Sequence, residues 1–144
     1  MRRIAVVTVA LLGAASLLHS QLSSALVGRG DDMLYQGRPQ RALMFYRRAL
    51  VLDRANATAV DRFVFIAMTL RQVPLLRLAV STATSFLALY PHNTTVRMDR
   101  ARCELHLHRA WDAEKDFVRV GREGLDARAL VFAGYEALRE GNRS

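Results

Sequence analysis

The chain has 144 residues, 51% hydrophobic and 24% charged, with 21 Lys+Arg against 13 Asp+Glu and a formal charge of +8. One domain is the default at this length, and the apolar content excludes a disordered chain, which buries too little apolar surface to offset its entropy. A single cysteine excludes an intramolecular disulfide framework and a multi-cysteine zinc site, and three Pro and eight Gly exclude a fibrous or linker-like protein.

Arg2 and Arg3 precede an apolar run from Ile4 to Leu18, and the next charge is Arg29. Residues 4–28 are therefore free of Asp, Glu, Lys and Arg, long enough for one bilayer-spanning helix. Two readings compete. A cleaved signal peptide fits the basic start, the apolar core and the small residues of Ser23-Ser24-Ala25. An uncleaved anchor fits the uncharged length. Either way the chain that follows is carried across the membrane, with Arg2 and Arg3 holding the N-terminus in the cytoplasm. The division expected is a signal-anchor over 1–28 and a folded domain over 29–144.

From residue 29 onward there are no alternating strand patterns bounded by hairpin turns. Apolar residues recur at helical spacing, as in Leu43, Tyr46 and Leu50 with Ala42, Phe45 and Ala49 beside them. Turn compositions stand at Gly37-Arg38-Pro39, Asp53-Arg54-Ala55-Asn56, Val73-Pro74, Tyr90-Pro91-His92-Asn93 and Gly121 to Gly124. They predict an all-α chain of short helices, each about 12–15 residues long. Phe63 to Leu70 is too short to span a bilayer and reads as a buried helix centre or a docking face. Asn56-Ala57-Thr58 and Asn93-Thr94-Thr95 match glycosylation acceptors, and equally helix N-caps. Asp112, Glu114, Lys115 and Asp116 read as a solvated helix face.

The stretch from Gly30 to Asp53 resembles a tetratricopeptide repeat (TPR). Gly30, Gly37, Ala42, Tyr46, Ala49 and Leu52-Asp53 stand where that family places a small contact residue, a turn glycine, an alanine, an aromatic, an alanine and the closing Leu-Asp. Small residues let paired helices approach closely, and the aromatic fills the gap between them. Ala79, Ala83 and Leu89-Tyr90-Pro91 repeat the second-helix pattern, with Phe86 where an alanine is expected. Ala113 follows Ala79 by 34 residues, the period of the family. Ala101 lies 12 before Ala113, as Gly30 lies 12 before Ala42, and Phe117 follows Ala113 as Tyr46 follows Ala42. The interval from Ala42 to Ala79 is 37, so the second unit carries about three extra residues near its first helix or turn. Gly134 and Gly141 place a capping first helix at the C-terminus. The resemblance thus implies an all-α fold of about three and a half TPR-like helical hairpins, an α-solenoid preceded by one hydrophobic N-terminal helix. The first unit begins near Ser23, so an anchor running on into the repeat is favoured over cleavage after Ala25.

No catalytic constellation is present: no glycine-rich phosphate loop, no His-Glu-x-x-His, no Gly-x-Ser-x-Gly. Cys103, Glu104, His106 and His108 cluster in sequence, but on a helix their pairs point to adjacent faces, so no metal or cofactor is expected. A metal- or cofactor-handling protein built on Cys103, His106 and His108 is the weakest alternative.

The resemblance implies a non-enzymatic binding module with a groove lined by the first helix of each pair. Its candidates are Asp31, Leu34 and Tyr35 in the first unit, Met68 and Arg71 in the second, and Met98, Arg102, Leu105 and His106 in the third. With the anchor, this describes an accessory subunit that assembles or stabilises an envelope complex. It would be single-pass in the cytoplasmic membrane, with its repeats on the outer (periplasmic) face. The alternative is a secreted or periplasmic peptide-binding adaptor. The expected partners are proteins, subunits of a membrane complex, rather than a small molecule or, after export, nucleic acid. The basic excess lies in residues 29–97, with ten Arg against four Asp, while residues 98–144 are balanced. That surface is a solvated face or a site for acidic partners.

Overall fold

The computed structural model describes the backbone from Arg2 to Arg122 and the side chains from Ser16 to Arg122. Six helices follow one another: α1 (Arg2–Tyr35), α2 (Pro39–Leu52), α3 (Ala57–Leu70), α4 (Val73–Leu89), α5 (Thr94–His106) and α6 (Ala110–Arg122). No strand occurs among the described residues. The expected cap at Gly134 and Gly141 lies outside them, as do the side chains of residues 4–15 of the expected anchor. Among the described residues no helix is long and apolar enough to cross a membrane. The chain divides into two compact units, Met1–Ala59 and Val60–Ser144.

In the first unit α1 runs without a break through residue 28 and packs against α2. It ends because Gly37, at φ +70°, takes the left-handed conformation open to a residue without a Cβ. The Gly37 amide then donates to the Leu34 carbonyl and the Arg38 amide to that of Met33, both at 2.9 Å, closing the helix with two crossed bonds. Pro39 starts α2, where its fixed φ fits and its missing N–H loses nothing. The buried stripe of α2 is Ala42, Tyr46 and Ala49, with Leu43 and Leu50 only half-buried. The Tyr46 ring lies against Gly30, and its hydroxyl donates to Asp31 at 2.7 Å. Ser23 is 0% exposed. Its hydroxyl donates to the Ala49 carbonyl at 3.0 Å and accepts from the Asn56 amide group at 2.9 Å, tying α1 to the end of α2 and the loop after it.

Both Asn-x-Thr sequences are helix caps. Asn56 Oδ1 accepts from the Ala59 amide at 3.0 Å, and Asn93 Oδ1 accepts from the Val96 amide at 2.9 Å. Each satisfies an amide that the first turn leaves without an intrahelical partner.

In the second unit α4 packs against α5 and α5 against α6. Phe63, Val64, Ile66 and Ala67 of α3 are buried, as expected of a helix centre, while Phe65 stays about half exposed. Phe117 fills the α5–α6 core with Ala101, Ala113 and Val120. Phe86 is buried where an alanine was expected and stacks at 4.9 Å on Tyr90.

The extra residues of the second repeat can now be placed. Ala67, fully buried, stands 12 before Ala79 and so takes the position of Gly30 and Ala101. From helix start to this residue is ten positions in α3 and seven in α5, so the insertion lies in the first half of α3. The α3–α4 turn is the short pair Arg71-Gln72, just ahead of the expected Val73-Pro74.

A turn at Leu107–Arg109 carries neither Gly nor Pro and was not anticipated. It repeats the closing geometry of α1: the His108 amide donates to Leu105 at 3.0 Å and the Arg109 amide to Glu104 at 2.9 Å. His108 occupies the glycine position at φ +58°. A Cβ there opposes the left-handed conformation by about 1–2 kcal/mol. His108→Gly is therefore expected to raise stability by about 1 kcal/mol, net of the extra chain entropy glycine brings to the unfolded state. An unchanged or lower urea midpoint would contradict the strain.

Candidate interaction surfaces

The candidates in the first unit lie on the last turns of α1. Asp31 is half-buried and engaged by the Tyr46 hydroxyl, Leu34 is half-buried, and Tyr35 is 96% exposed. Helix closure at Gly37 leaves the Tyr35 ring standing clear on the final turn.

The candidates in the second unit divide. Met98 and Leu105 pack against the α5–α6 core, so part of their apolar surface is already covered. Met68 is half-buried on α3, and His106 is exposed at the end of α5. Arg71 lies just past α3 at φ +51°, in the turn rather than on the helix face. Arg102 is exposed, and its Nη1 donates to Asp99 Oδ1 at 3.3 Å.

That last contact brings in residues the sequence did not single out. Asp99 of α5 is 6% exposed and faces Asp61 of α3. Its Oδ2 is buried without a donor, so two carboxyl groups meet where a shared proton can join them. Burial, followed by the hydrogen bond and charge of Asp61, pushes the Asp99 carboxyl from its usual 3.8 up to about 7; Arg102 works against this and does not cancel it. Asp61 starts a stripe on α3 that Phe65 and Met68 continue at helical spacing. α3 and α5 thus bring a largely buried acid pair together under the exposed Arg102, with Phe65 one turn along α3 from Asp61. The sequence sign of it was the apolar run Phe63 to Leu70, whose second reading was a docking face.

The pH consequence has a definite sign. A carboxyl with a raised folded pKa binds its proton more tightly in the folded state. Its contribution to stability is fully present below about pH 4 and is lost as pH rises through about 7. Asp99→Asn should therefore raise the urea midpoint more at about pH 8 than at about pH 5. Equal effects at both values would mean that Asp99 is ionised throughout.

Cys103, His106 and His108 do not converge. Cys103 is fully buried, His106 is exposed, and His108 sits in the turn. Burial, with Asp99 and Glu104 nearby, pushes the Cys103 thiol up to about 12, far from a thiolate at neutral pH. Glu104 is engaged by Arg109 at 3.2 Å. Among the described residues no group of three or more His, Cys, Asp or Glu side chains is placed to hold a metal.

The expected solvated face of α6 is correct for Asp112, which pairs with Arg109 and Lys115, and wrong for Asp116. Asp116 is 5% exposed and binds two arginines of α5. Arg100 donates to it twice at 2.7 Å, through Nε and Nη2, and Arg97 Nη1 approaches at 3.4 Å.

No protein-family model and no curated protein sequence matches the chain. Solved structures do match in fold. The first TPR of Spaghetti (RPAP3), bound to the HSP90 peptide SRMEEVD, is 21% identical at a TM-score of 0.71, over 87% of this chain and 96% of that one. The first TPR domain of human RPAP3 is 20% identical at 0.72, over 87% and 98%. The Arabidopsis OM64 TPR domain is 21% identical at 0.69, over 85% and 98%. The fold is therefore that of TPR-like helical hairpins, as the resemblance of residues 30–53 implied.

Proposed function

We propose that this chain is a non-enzymatic protein-interaction module whose partners dock on the first helices of its repeats. The observation that carries the reading is the meeting of Asp61, Asp99 and Arg102 on α3 and α5, with the exposed Phe65 one turn along α3 from Asp61. Arginine is among the residues that dominate binding energy at protein interfaces, and the half-exposed Phe65 adds apolar surface on α3. The fold supports it too, since the Spaghetti neighbour is bound to a peptide. Tyr35 on α1 and His106 on α5 are exposed as well.

The setting we propose is a membrane. Residues 4–28 would act as an uncleaved anchor, with the repeats on the outer face, and the chain would serve as an accessory subunit of an envelope complex. The burial of Ser23 favours this over the secreted adaptor. Cleavage after Ala25 would remove the hydroxyl that binds Ala49 and Asn56, leaving buried polar groups unpaired at about 1–3 kcal/mol.

Mass spectrometry of the protein extracted from membranes in mild detergent tests both parts. The expected result is an intact chain starting at or near Met1 with stoichiometric companions, which a Phe65→Ser, Arg102→Gln variant recovers poorly. A soluble form starting near Leu26 would sink the anchor. Companions retained in full by the variant would sink the docking surface.

A further inference from the structure

The first unit holds a second candidate surface, on α2 rather than on a first helix. Arg41, Met44, Phe45 and Arg48 fall at i, i+3, i+4 and i+7, so they share one face of α2. With Met33 of α1 they line an open cavity of about 270 Å³. Its floor is two methionines and a phenylalanine, and an arginine stands at each end of the stripe. Met44 remains 55% exposed, while Met33 and Phe45 are half-buried. The volume lies below the range usual for drug-sized ligands and cofactors, so the cavity suits one or two large side chains of a partner. Methionine lining is adaptable, as binding surfaces that accept varied apolar groups require.

The charge chooses the partner. Helix α2 carries Arg41, Arg47 and Arg48 and no acidic residue. Neither Arg41 nor Arg48 has an acidic partner among the described residues, in contrast to Arg97, Arg100, Arg102 and Arg109 of the second unit. Two unneutralised guanidinium groups seven residues apart, flanking an apolar floor, complement carboxylates that flank an apolar side chain.

We propose that this face of α2 binds an acidic amphipathic peptide segment of a partner protein. Large apolar side chains of the segment enter the Met33–Met44–Phe45 cavity, and its carboxylates meet Arg41 and Arg48. This is the helix-in-groove mode, in which anchors one turn apart carry the contact. The site is separate from the first-helix surface and would give the module a second point of attachment.

The test is fluorescence anisotropy of the full chain with a labelled, amidated peptide, Glu-Ala-Ala-Leu-Phe-Ala-Ala-Glu, whose spacing mirrors the stripe. Saturable binding that weakens with added salt is expected. Arg41→Glu with Arg48→Glu should lower the affinity at least tenfold, about 1.4 kcal/mol, and a peptide with Lys in place of Glu should not bind. Because both arginines are exposed, the variant should melt as the wild type does; if it does not, Met44→Asp makes the same reading. Failure of the wild type to bind the peptide overturns the proposal, as does equal binding by the variants. So does binding only to phosphatidylglycerol vesicles, which would assign the arginines to a lipid surface. Loss of binding in Phe65→Ser, Arg102→Gln but not in the α2 variants also overturns it, and leaves the first-helix reading standing.

Discussion

Replacing Asp116 with alanine is expected to destabilise the protein by about 3–5 kcal/mol, the range for removing one partner of a buried ion pair. The carboxylate sits on α6 with its side chain 7% exposed, between Arg97 at 4% and Arg100 at 20%. Arg97 also donates to the Pro91 carbonyl, while its Nε is buried without an acceptor. Arg100 reaches on to Thr84 of α4 at 3.1 Å. One carboxylate therefore joins the third hairpin to the helix before it. Without it, two desolvated guanidinium groups keep one carbonyl and one hydroxyl between them. The pair itself need not be net stabilising, because the desolvation of three charges opposes their attraction. Arg97→Met with Asp116→Leu should accordingly recover a large part of the loss, and a double-mutant cycle by urea denaturation measures the coupling. A loss below about 1 kcal/mol for Asp116→Ala would mean that water reaches the cluster.

Two glycines in the same helix are expected to respond to alanine with opposite signs. Gly28 and Gly30 both lie inside α1, where alanine is intrinsically favoured over glycine by about 1 kcal/mol. A Cβ on Gly28 meets nothing within 4 Å, so Gly28→Ala should stabilise by about 0.5–1 kcal/mol. A Cβ on Gly30 falls against the Tyr46 ring, at 2.8 Å from Cδ1 and 2.9 Å from Cζ, with Cε1 nearer still. The ring has no room to retreat: it is fully buried and its hydroxyl is held by Asp31. Gly30→Ala should therefore destabilise by about 1–3 kcal/mol through overpacking, in spite of its helix propensity. Tyr46→Leu in the Gly30→Ala background should cost less than in the wild type, since the smaller side chain relieves the clash. Thermal melts of the four variants decide it, and a stabilised Gly30→Ala would show that α1 and α2 can move apart freely.

These two sites mark what each kind of reading reaches. The close approach at Gly30 was legible because a small residue, a turn glycine and an aromatic recur at intervals that one helix packed on another imposes. The same intervals located Ala101, Ala113 and Phe117, all buried together, and the caps at Asn56 and Asn93 follow from bonding within four residues of chain. Local geometry is written locally, so helices, turns and the period needed no neighbour to be seen. One turn escaped because His108 stands where the first hairpin uses glycine. It lies seven residues after Ala101, as Gly37 does after Gly30, so the period held the sign where composition did not.

The fate of the charges was not legible in this way. Helical spacing orders residues around their own axis, and on α6 it could not separate exposed Asp112 from buried Asp116. Whether a carboxylate meets water or arginine depends on the helix laid beside it. The same holds for Asp99, which acquires its acid partner from α3, and for Ser23, whose hydroxyl is enclosed only once α2 and its following loop pack on α1. The sequence by itself determined which segments are helical, where they turn and which small residues let them touch. Tertiary structure alone decided which polar groups left water, because desolvation is set by atoms far away in the chain.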